Sequence, residues 1–579
     1  MDTASTAGAR FAEPRVPAPP LLTYGIAGVI GVFAFAFRIL TLQDLPNDHY
    51  LYLSAAQQIL LGDMPDRDFV EPGMLLQFLV SAAGQAVAPG PSTEAILTAG
   101  FLAMAAAATC VGVSWLTGSI VAGGSAALLQ VVIEPRLYSF PKILVPAVLL
   151  VLALRYARRP KGPALFLLAL WVVAAFLFRH DIGTYTGVAA VVCVAMAART
   201  AAGAARAGAA LSTAVLLLLL PYFAYLEWGG GVVGHVQGSI EFAKAEAHQF
   251  RFDWPVLGFG ASGPADSALP WSKDDAAAFL FYCAYALPLV SMLLLGRAEY
   301  RRNVVVRSAV GSAVVMGVFY AAILLRHPLV VRVQDLAAVY AILGAWCVVA
   351  LIHMARAWRP AVASPWRILL QGLVAVALAA LLISVDVLDQ TREKLQDMRV
   401  LRSAGTTLER ARQVITGGRE WPWRRYWPAG PLDPIQYLDA CTRPEDRIWV
   451  TWLAPEYYVF ARRGFGAGLP SFQVPHSHTV PEDQAQMIAR LDRDAVPIVL
   501  INESARSEFA GAYPQLDEYL RSRYWSPSGS FTIYDGSLIS IVVRRGLRAT
   551  SAYGSEAWPC HLEPDPEAES DAMSSGAGL

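Results

Sequence analysis

The sequence predicts a mainly α, polytopic membrane protein of about eleven transmembrane helices that carries a C-terminal extracytoplasmic α/β domain. Three observations carry this. The 579 residues are 55% hydrophobic and only 16% charged, with a mean hydropathy of +0.43, against about 25% charged in a soluble protein. The deficit is uneven: residues 1–390 hold 47 of the 92 Asp, Glu, Lys and Arg, whereas residues 391–579 hold 45. Finally, the first two-thirds break into long apolar runs. Together these exclude a cytosolic enzyme, a fibrous protein and a disordered one. A net charge of zero without a long basic tract gives no footprint for nucleic acid.

Runs of about 20 apolar residues read as membrane spans. They fall near 21–40, 95–117, 119–133, 140–155, 163–178, 182–198, 209–226, 276–296, 305–325, 336–353 and 366–386. The run 73–90, bracketed by Glu71-Pro72-Gly73 and Pro89-Gly90-Pro91, reads as a helix that dips into one leaflet without crossing. The first span has no A-x-A-like cleavage site after it and is expected to stay as an anchor. Four connecting loops hold 13 basic residues against one acid, Glu299: Arg155, Arg158, Arg159 and Lys161; Arg199 and Arg206; Arg297, Arg301, Arg302 and Arg307; Arg356, Arg359 and Arg367. The positive-inside rule places these loops and tail 1–20 in the cytoplasm and the C-terminal third outside a cell (inner or plasma) membrane.

The opposite loops collect the chemistry. Asp44, Asp48, Asp63, Asp66, Asp68 and Glu71 lie in loop 41–94; Glu134 and Arg136 follow the third span; Arg179-His180-Asp181 closes the fifth. Loop 227–275 holds His235, Glu241, Lys244, Glu246, His248 and Arg251, and Arg326, His327, Arg332 and Asp335 cap the ninth span. Charge beside hydrocarbon is costly unless paired or hydrated. Single residues of this kind are often interfacial anchors, but five clusters on one face read as a site. Outside the cell there is no nucleotide energy source, so an activated substrate must arrive on a lipid. A polyprenyl-phosphate sugar has a phosphate leaving group suited to Arg and an acceptor hydroxyl that needs a carboxylate base.

The stretch Arg38-Ile-Leu-Thr-Leu-Gln-Asp-Leu-Pro-Asn-Asp48-His-Tyr50, followed by Gly62-Asp-Met-Pro-Asp-Arg-Asp68-Phe-Val-Glu-Pro72, resembles the start of GT-C glycosyltransferases. That group comprises the protein O-mannosyltransferases, aminoarabinose transferases and rhizobial lipopolysaccharide-core glycosyltransferases. The resemblance implies a GT-C-like membrane module over 21–389 and a transfer from a polyprenyl-phosphate sugar to a glycan, lipid or protein hydroxyl. It puts Asp48 at the catalytic position, and Arg326 with the Arg332-Val-Gln-Asp335 turn at the loop that meets the lipid phosphate. Where that family often has a second acid, His49 stands here. No nucleotide diphosphate leaves, so no cofactor is called for, and use of a divalent metal stays open.

Each candidate has a plainer alternative. Asp48, ahead of an amphipathic helix 50–61, is either the general base or a helix N-cap. Asp68 and Glu71 either bind acceptor hydroxyls or solvate a loop. Arg179 and His180, with Asp181 orienting the His, bind donor phosphate or form a self-neutralising turn. Arg326, His327 and Arg332 are donor-phosphate candidates, with Arg136 and Asp335 in support. His476-Ser-His478 lacks a third metal ligand, and Gly464-Phe-Gly466-Ala-Gly468 is no dinucleotide fingerprint. Trp421-Pro-Trp-Arg-Arg-Tyr-Trp427 suits either a membrane interface or a packed linker. The rival functional classes are a secondary transporter and a non-enzymatic envelope scaffold or sensor.

In the domain at 390–548, Arg447–Leu453 and Val496–Ile501 read as buried strands, and Phe531–Val543 as a hairpin turning at Asp535-Gly536. Residues 549–579, rich in Ser, Gly, Ala, Glu and Pro, read as an unordered tail. Of six cysteines, Cys110, Cys193, Cys283 and Cys347 fall in spans. Cys441 and Cys560 are left in an oxidising compartment, either bridged or as two free thiols.

Overall fold

The structure is a computed structural model that describes residues 20–248, 255, 273–324, 333–358, 396, 400, 402–418, 421–422, 434–470, 472, 478–527, 531–533, 536–555 and 557–565. The eleventh expected span (366–386), Arg251, Arg326, His327, Arg332, 423–427 and His476 lie outside the described residues. Internal contacts divide the chain into two compact units. One comprises Met1–Leu42, Ile96–Phe223 and Phe250–Ala411; the other comprises Gln43–Ala95, Ala224–Gln249 and Arg412–Leu579. This division groups residues 43–95, nearly the whole loop expected at 41–94, and only the first part of the loop expected at 227–275, up to Gln249, with Arg412–Leu579.

The helices run α1 (Pro20–Thr41), α2 (Asn47–Leu60), α3 (Leu75–Val87), α4 (Pro91–Thr117), α5 (Ile120–Val132), α6 (Phe140–Arg158) and α7 (Gly162–Phe178). They continue as α8 (His180–Ala197), α9 (Ala201–Gly229), α10 (Val232–His248), α11 (Lys273–Leu295), α12 (Ala298–Arg302), α13 (Val304–Ile323) and α14 (Ala337–Trp358). Ten of the eleven expected spans are helices within a few residues of the expected ends; the largest difference is α9, which starts eight residues early.

The first unit is mainly α and multi-pass. Among the described residues seven helices (α1, α4, α6, α8, α9, α13 and α14) are long and apolar enough to cross a bilayer. Among the described residues the expected count of eleven is not confirmed. At 1.5 Å per residue, the 13 residues of α5 rise only about 20 Å against a hydrocarbon core of about 30 Å. The same arithmetic suits α3, also 13 residues, to the shallow dip expected of it.

Helices α4 to α9, α11, α13 and α14 share one core, in which Ala153, Ala169, Ala189, Ala190 and Ala309 let backbones approach between Leu, Val and Phe side chains. At the α7–α8 junction a Cβ on Gly183 would fall 2.1 Å from Phe176 Cα. Only glycine lets α8 start that close to the last turn of α7, and this sharp junction presents Arg179, His180 and Asp181.

The second unit is built on a sheet of β1 (Arg447–Val450), β2 (Gly464–Phe465), β3 (Ile498–Asn502), β4 (Tyr524–Trp525), β5 (Phe531–Thr532) and β6 (Leu538–Arg544). Its order is β2-β1-β3-β6-β4, with β5 also on β6. β1 is parallel to β2 and β3, whereas β3 meets β6 antiparallel with Ile498 opposite Val543 and Leu500 opposite Ile541. The parallel strands are continuous apolar runs because both faces are covered. One face packs Trp449, Val499 and Ile501 against Phe472, Leu491, Phe509, Tyr513 and Leu516. On Phe465 sit Phe69 at 5.5 Å and Tyr458 at 5.8 Å between ring centroids. The expected hairpin is present, with Phe531 opposite Ile539 and Gly536 at φ +86°.

The tail expectation is corrected. β7 (Leu547–Tyr553) and β8 (Trp558–Pro564) form a two-stranded antiparallel sheet. Composition alone missed Tyr553, Trp558 and Cys560, which tie this ribbon to the helix Pro434–Cys441. Tyr437 donates to the Pro559 carbonyl at 2.7 Å and packs edge-on against Tyr553 and Trp558. Cys441 and Cys560 are bridged, with Cα atoms 4.5 Å apart and a sequence separation of 119.

The bridge closes a long loop and should contribute about 2–4 kcal/mol. Thiol labelling of the non-reduced protein, unfolded in denaturant, should therefore leave Cys441 and Cys560 unlabelled, and both should label after reduction. Cys560→Ser should lower the melting temperature of the purified protein; labelling of both residues without reduction contradicts the bridge.

Candidate functional site

In the second unit, Asp48 lies in the first turn of α2. The N-cap is Pro46, with no side-chain cap bond, so Asp48 is not the N-cap that its sequence position suggested. Its carboxylate there is favoured by the helix dipole. It is half-buried and enters no hydrogen bond or ion pair among the described residues. The next residue, His49, is fully buried, its Nδ1 3.6 Å from Glu94 Oε1. The other oxygen of Glu94 accepts from Ser81 Oγ at 2.8 Å. His49 therefore points into the protein and fastens the start of α2 to the start of α4.

Loop 63–71 folds into a tight turn in which Asp66 adopts φ +64° and its N–H donates to the Phe69 carbonyl. Tyr225 donates to the Pro65 carbonyl at 2.6 Å, and His235 Nδ1 lies 2.8 Å from Asp66 Oδ1. Glu71 is 2% exposed and accepts from the Met74 N–H, so the solvated-loop alternative does not describe it. Burial first, then the neighbouring Asp66 charge, pushes the Glu71 carboxyl up to about 8. Burial alone would lower His235, but the Asp66 hydrogen bond and the charges of Asp66 and Glu71 outweigh it and raise its pKa. Glu71 and His235 are donor types that a divalent cation takes, and their ligand atoms lie within 4.8 Å of each other. Asp68 braces the turn: its Oδ2 accepts from the Met64 N–H at 2.9 Å and from Arg67 at 2.6 Å.

In the first unit, a chain of charges links several helices. Arg38 donates to the Pro135 carbonyl and pairs with Glu134 at 3.5 Å. Two residues on, Arg136 lies 3.4 Å from Asp335, which is fully buried and takes Lys142 Nζ at 2.6 Å. Arg179 grips Asp181 with a two-pronged contact at 3.0 and 2.8 Å. His180 Nε2 sits 3.0 Å from the Tyr222 hydroxyl, its ring stacked on Phe176 at 4.2 Å. Arg38, Arg136, Lys142 and Arg179 thus face Glu134, Asp181 and Asp335, four cations against three carboxylates.

The structure brings together Arg136, Arg179, Asp181 and Asp335 in this chain, with His180 beside it, and Asp48, Asp68 and Glu71 in the second unit. Lys142, Tyr222, Glu94 and Tyr225 were missed. Lys142 had a sequence signal, a lone Lys heading the apolar run 143–154. The others had none, since nothing local marks a Tyr or Glu at a helix end as a partner.

The Glu71 shift has a sign. A carboxyl whose folded pKa is raised contributes stability that is present below its unfolded value of about 4.3 and lost as pH rises through its folded value. Melting temperature should therefore fall between about pH 5 and 8, and Glu71→Gln should lose less over that window. Parallel decline of both proteins contradicts the buried acid.

The solved structures similar to this chain include two of one protein. One is the crystal structure of ArnT from Cupriavidus metallidurans bound to undecaprenyl phosphate, at 13% identity and a TM-score of 0.43, covering 90% of this chain and 97% of that one. The other is that protein in the apo state, at 12% identity and a TM-score of 0.44, covering 90% and 98%. No protein-family model and no curated protein matches.

Proposed function

We propose that the protein is a membrane glycosyltransferase of the GT-C type that moves a sugar from a polyprenyl-phosphate donor to an acceptor hydroxyl by a single inverting displacement. The observation that carries this is Asp48: half-buried, at a helix start, in the GT-C-like stretch, with no hydrogen bond among the described residues to occupy its carboxylate. Asp48 takes the acceptor proton as the acceptor oxygen attacks the anomeric carbon and the sugar–phosphate bond breaks.

The departing lipid phosphate gathers negative charge, which preorganised cations stabilise. Arg179 and Arg136 are 27% and 24% exposed and can exchange a carboxylate partner for a phosphate oxygen. Lys142 and Asp335, at 3% and 0%, are supports rather than ligands. Arg326, His327 and Arg332 are assigned to the same phosphate. The acceptor is a glycan, lipid or protein hydroxyl on the extracytoplasmic face.

Asp48→Asn keeps size and polarity but removes the proton acceptor. Transfer from a radiolabelled polyprenyl-phosphate sugar should fall by roughly 10²-fold or more at unchanged protein level. Arg179→Lys, which keeps charge but loses the planar fork, should weaken donor binding less than Arg179→Ala. Near-normal transfer by Asp48→Asn refutes the assignment.

Orientation is tested separately. The basic bias of the four loops puts Lys161 in the cytoplasm and the C-terminal third outside. A reporter active only outside the cytoplasm should work when fused after Asp389 and stay silent at Lys161; activity at Lys161 inverts the proposal.

A further inference from the structure

We propose that Gln58 is a positioning residue for Asp48, and that strand β2 of the C-terminal sheet is the surface that holds the catalytic helix in place. The inference rests on the proposed role of Asp48. Gln58 lies ten residues beyond Asp48 on α2, about 15 Å along the axis, and is 2% exposed. Its amide nitrogen donates to the Phe465 carbonyl at 3.2 Å, and its amide oxygen accepts from the Phe465 N–H at 3.1 Å.

One side chain thus satisfies both backbone groups of one strand residue, as a neighbouring strand would. β2 is the edge of the sheet, and an uncovered edge leaves such groups unpaired. The carboxamide has the donor and acceptor of a peptide group; no aliphatic or acidic side chain can make both bonds.

Neighbouring contacts fix the register. Gln58 also donates to Asp63 Oδ2 at 2.6 Å, and Asp63 Oδ1 accepts from Arg447, the first residue of β1, at 2.8 Å. Gln57 donates to the Tyr458 carbonyl at 3.3 Å. A Cβ at Gly464 would meet Arg447 Nη1 at 2.9 Å, Gln58 Oε1 at 3.0 Å and Leu61 Cδ1 at 3.1 Å. Glycine at that position is what allows the helix to lie so close to β2. With His49 fastened to Glu94 at the other end, α2 is a short rod held at both ends. Misplacement of a catalytic group by about 1 Å costs up to about 10²-fold in rate, so loosening the far end should be felt at Asp48.

The test uses the full chain and the radiolabelled transfer assay. Gln58→Met keeps length and helix propensity but makes neither bond. The inference expects kcat to fall about 10- to 100-fold with the KM for donor within about twofold. In an Asp48→Asn background the same change should add no further loss, because both act through one carboxylate. Gly464→Ala, which crowds Gln58 without deleting a polar group, should reproduce the kcat defect and is read in its place if Gln58→Met does not fold. Wild-type kcat in the variant that folds overturns the inference, and so does an equal further loss in the Asp48→Asn background. Near-normal transfer by Asp48→Asn alone instead overturns the proposed function.

Discussion

The segment that carries Asp48 has no core of its own. Residues 43–95 supply one 14-residue helix, one 13-residue helix and the turn between them, too little to stand alone in water. What orders them is burial of Tyr50, Phe69 and Phe78, with Tyr50 against Phe460 and Phe69 against Phe465, together with the amide pairing at the edge of β2. The catalytic proposal depends on that docking. A carboxylate without a hydrogen-bond partner acts as a directed base only if the backbone beneath it is fixed. On the proposed function, the sheet serves the reaction without supplying a reacting group.

The first unit meets a different constraint. Several charges lie among apolar helices, where an unpaired ion is expensive. The chain meets it with ion pairs: Arg38 on Glu134, Arg136 and Lys142 on Asp335, and Arg179 on Asp181. A fully buried pair such as Lys142–Asp335 is a poor source of net stability. It makes sense as a means of holding partly exposed Arg136 and Arg179 in fixed orientation with one cation in excess. That surplus is what a lipid phosphate would neutralise.

Much of the fold was legible because hydrophobic length and turn chemistry are local. The ten helices seen at expected spans, the β1 and β3 runs and the Gly536 turn all announce themselves within about twenty residues. The number of spans was less legible, because apolarity was read without the rise per residue that leaves the 13 residues of α5 short. The β7–β8 ribbon was misjudged because a few anchors outweigh a Ser- and Ala-rich composition. Asp48 was marked by the GT-C-like stretch around it, and Arg179-His180-Asp181 by three ionisable residues interrupting two apolar runs. Glu94, Tyr222 and the Gln58–Phe465 pairing were invisible, since each depends on contacts across tens to hundreds of residues.

On the proposed function, a sugar leaves a polyprenyl phosphate on this protein. The direct measurement is the fate of the lipid. Membranes containing the protein, given a panel of doubly labelled polyprenyl-phosphate sugars, should convert one of them to free polyprenyl phosphate. Sugar label should appear in acceptor in equal amount, beyond that seen in membranes lacking the protein. Release of sugar to water without acceptor labelling, or no discharge of any donor in the panel, would contradict it.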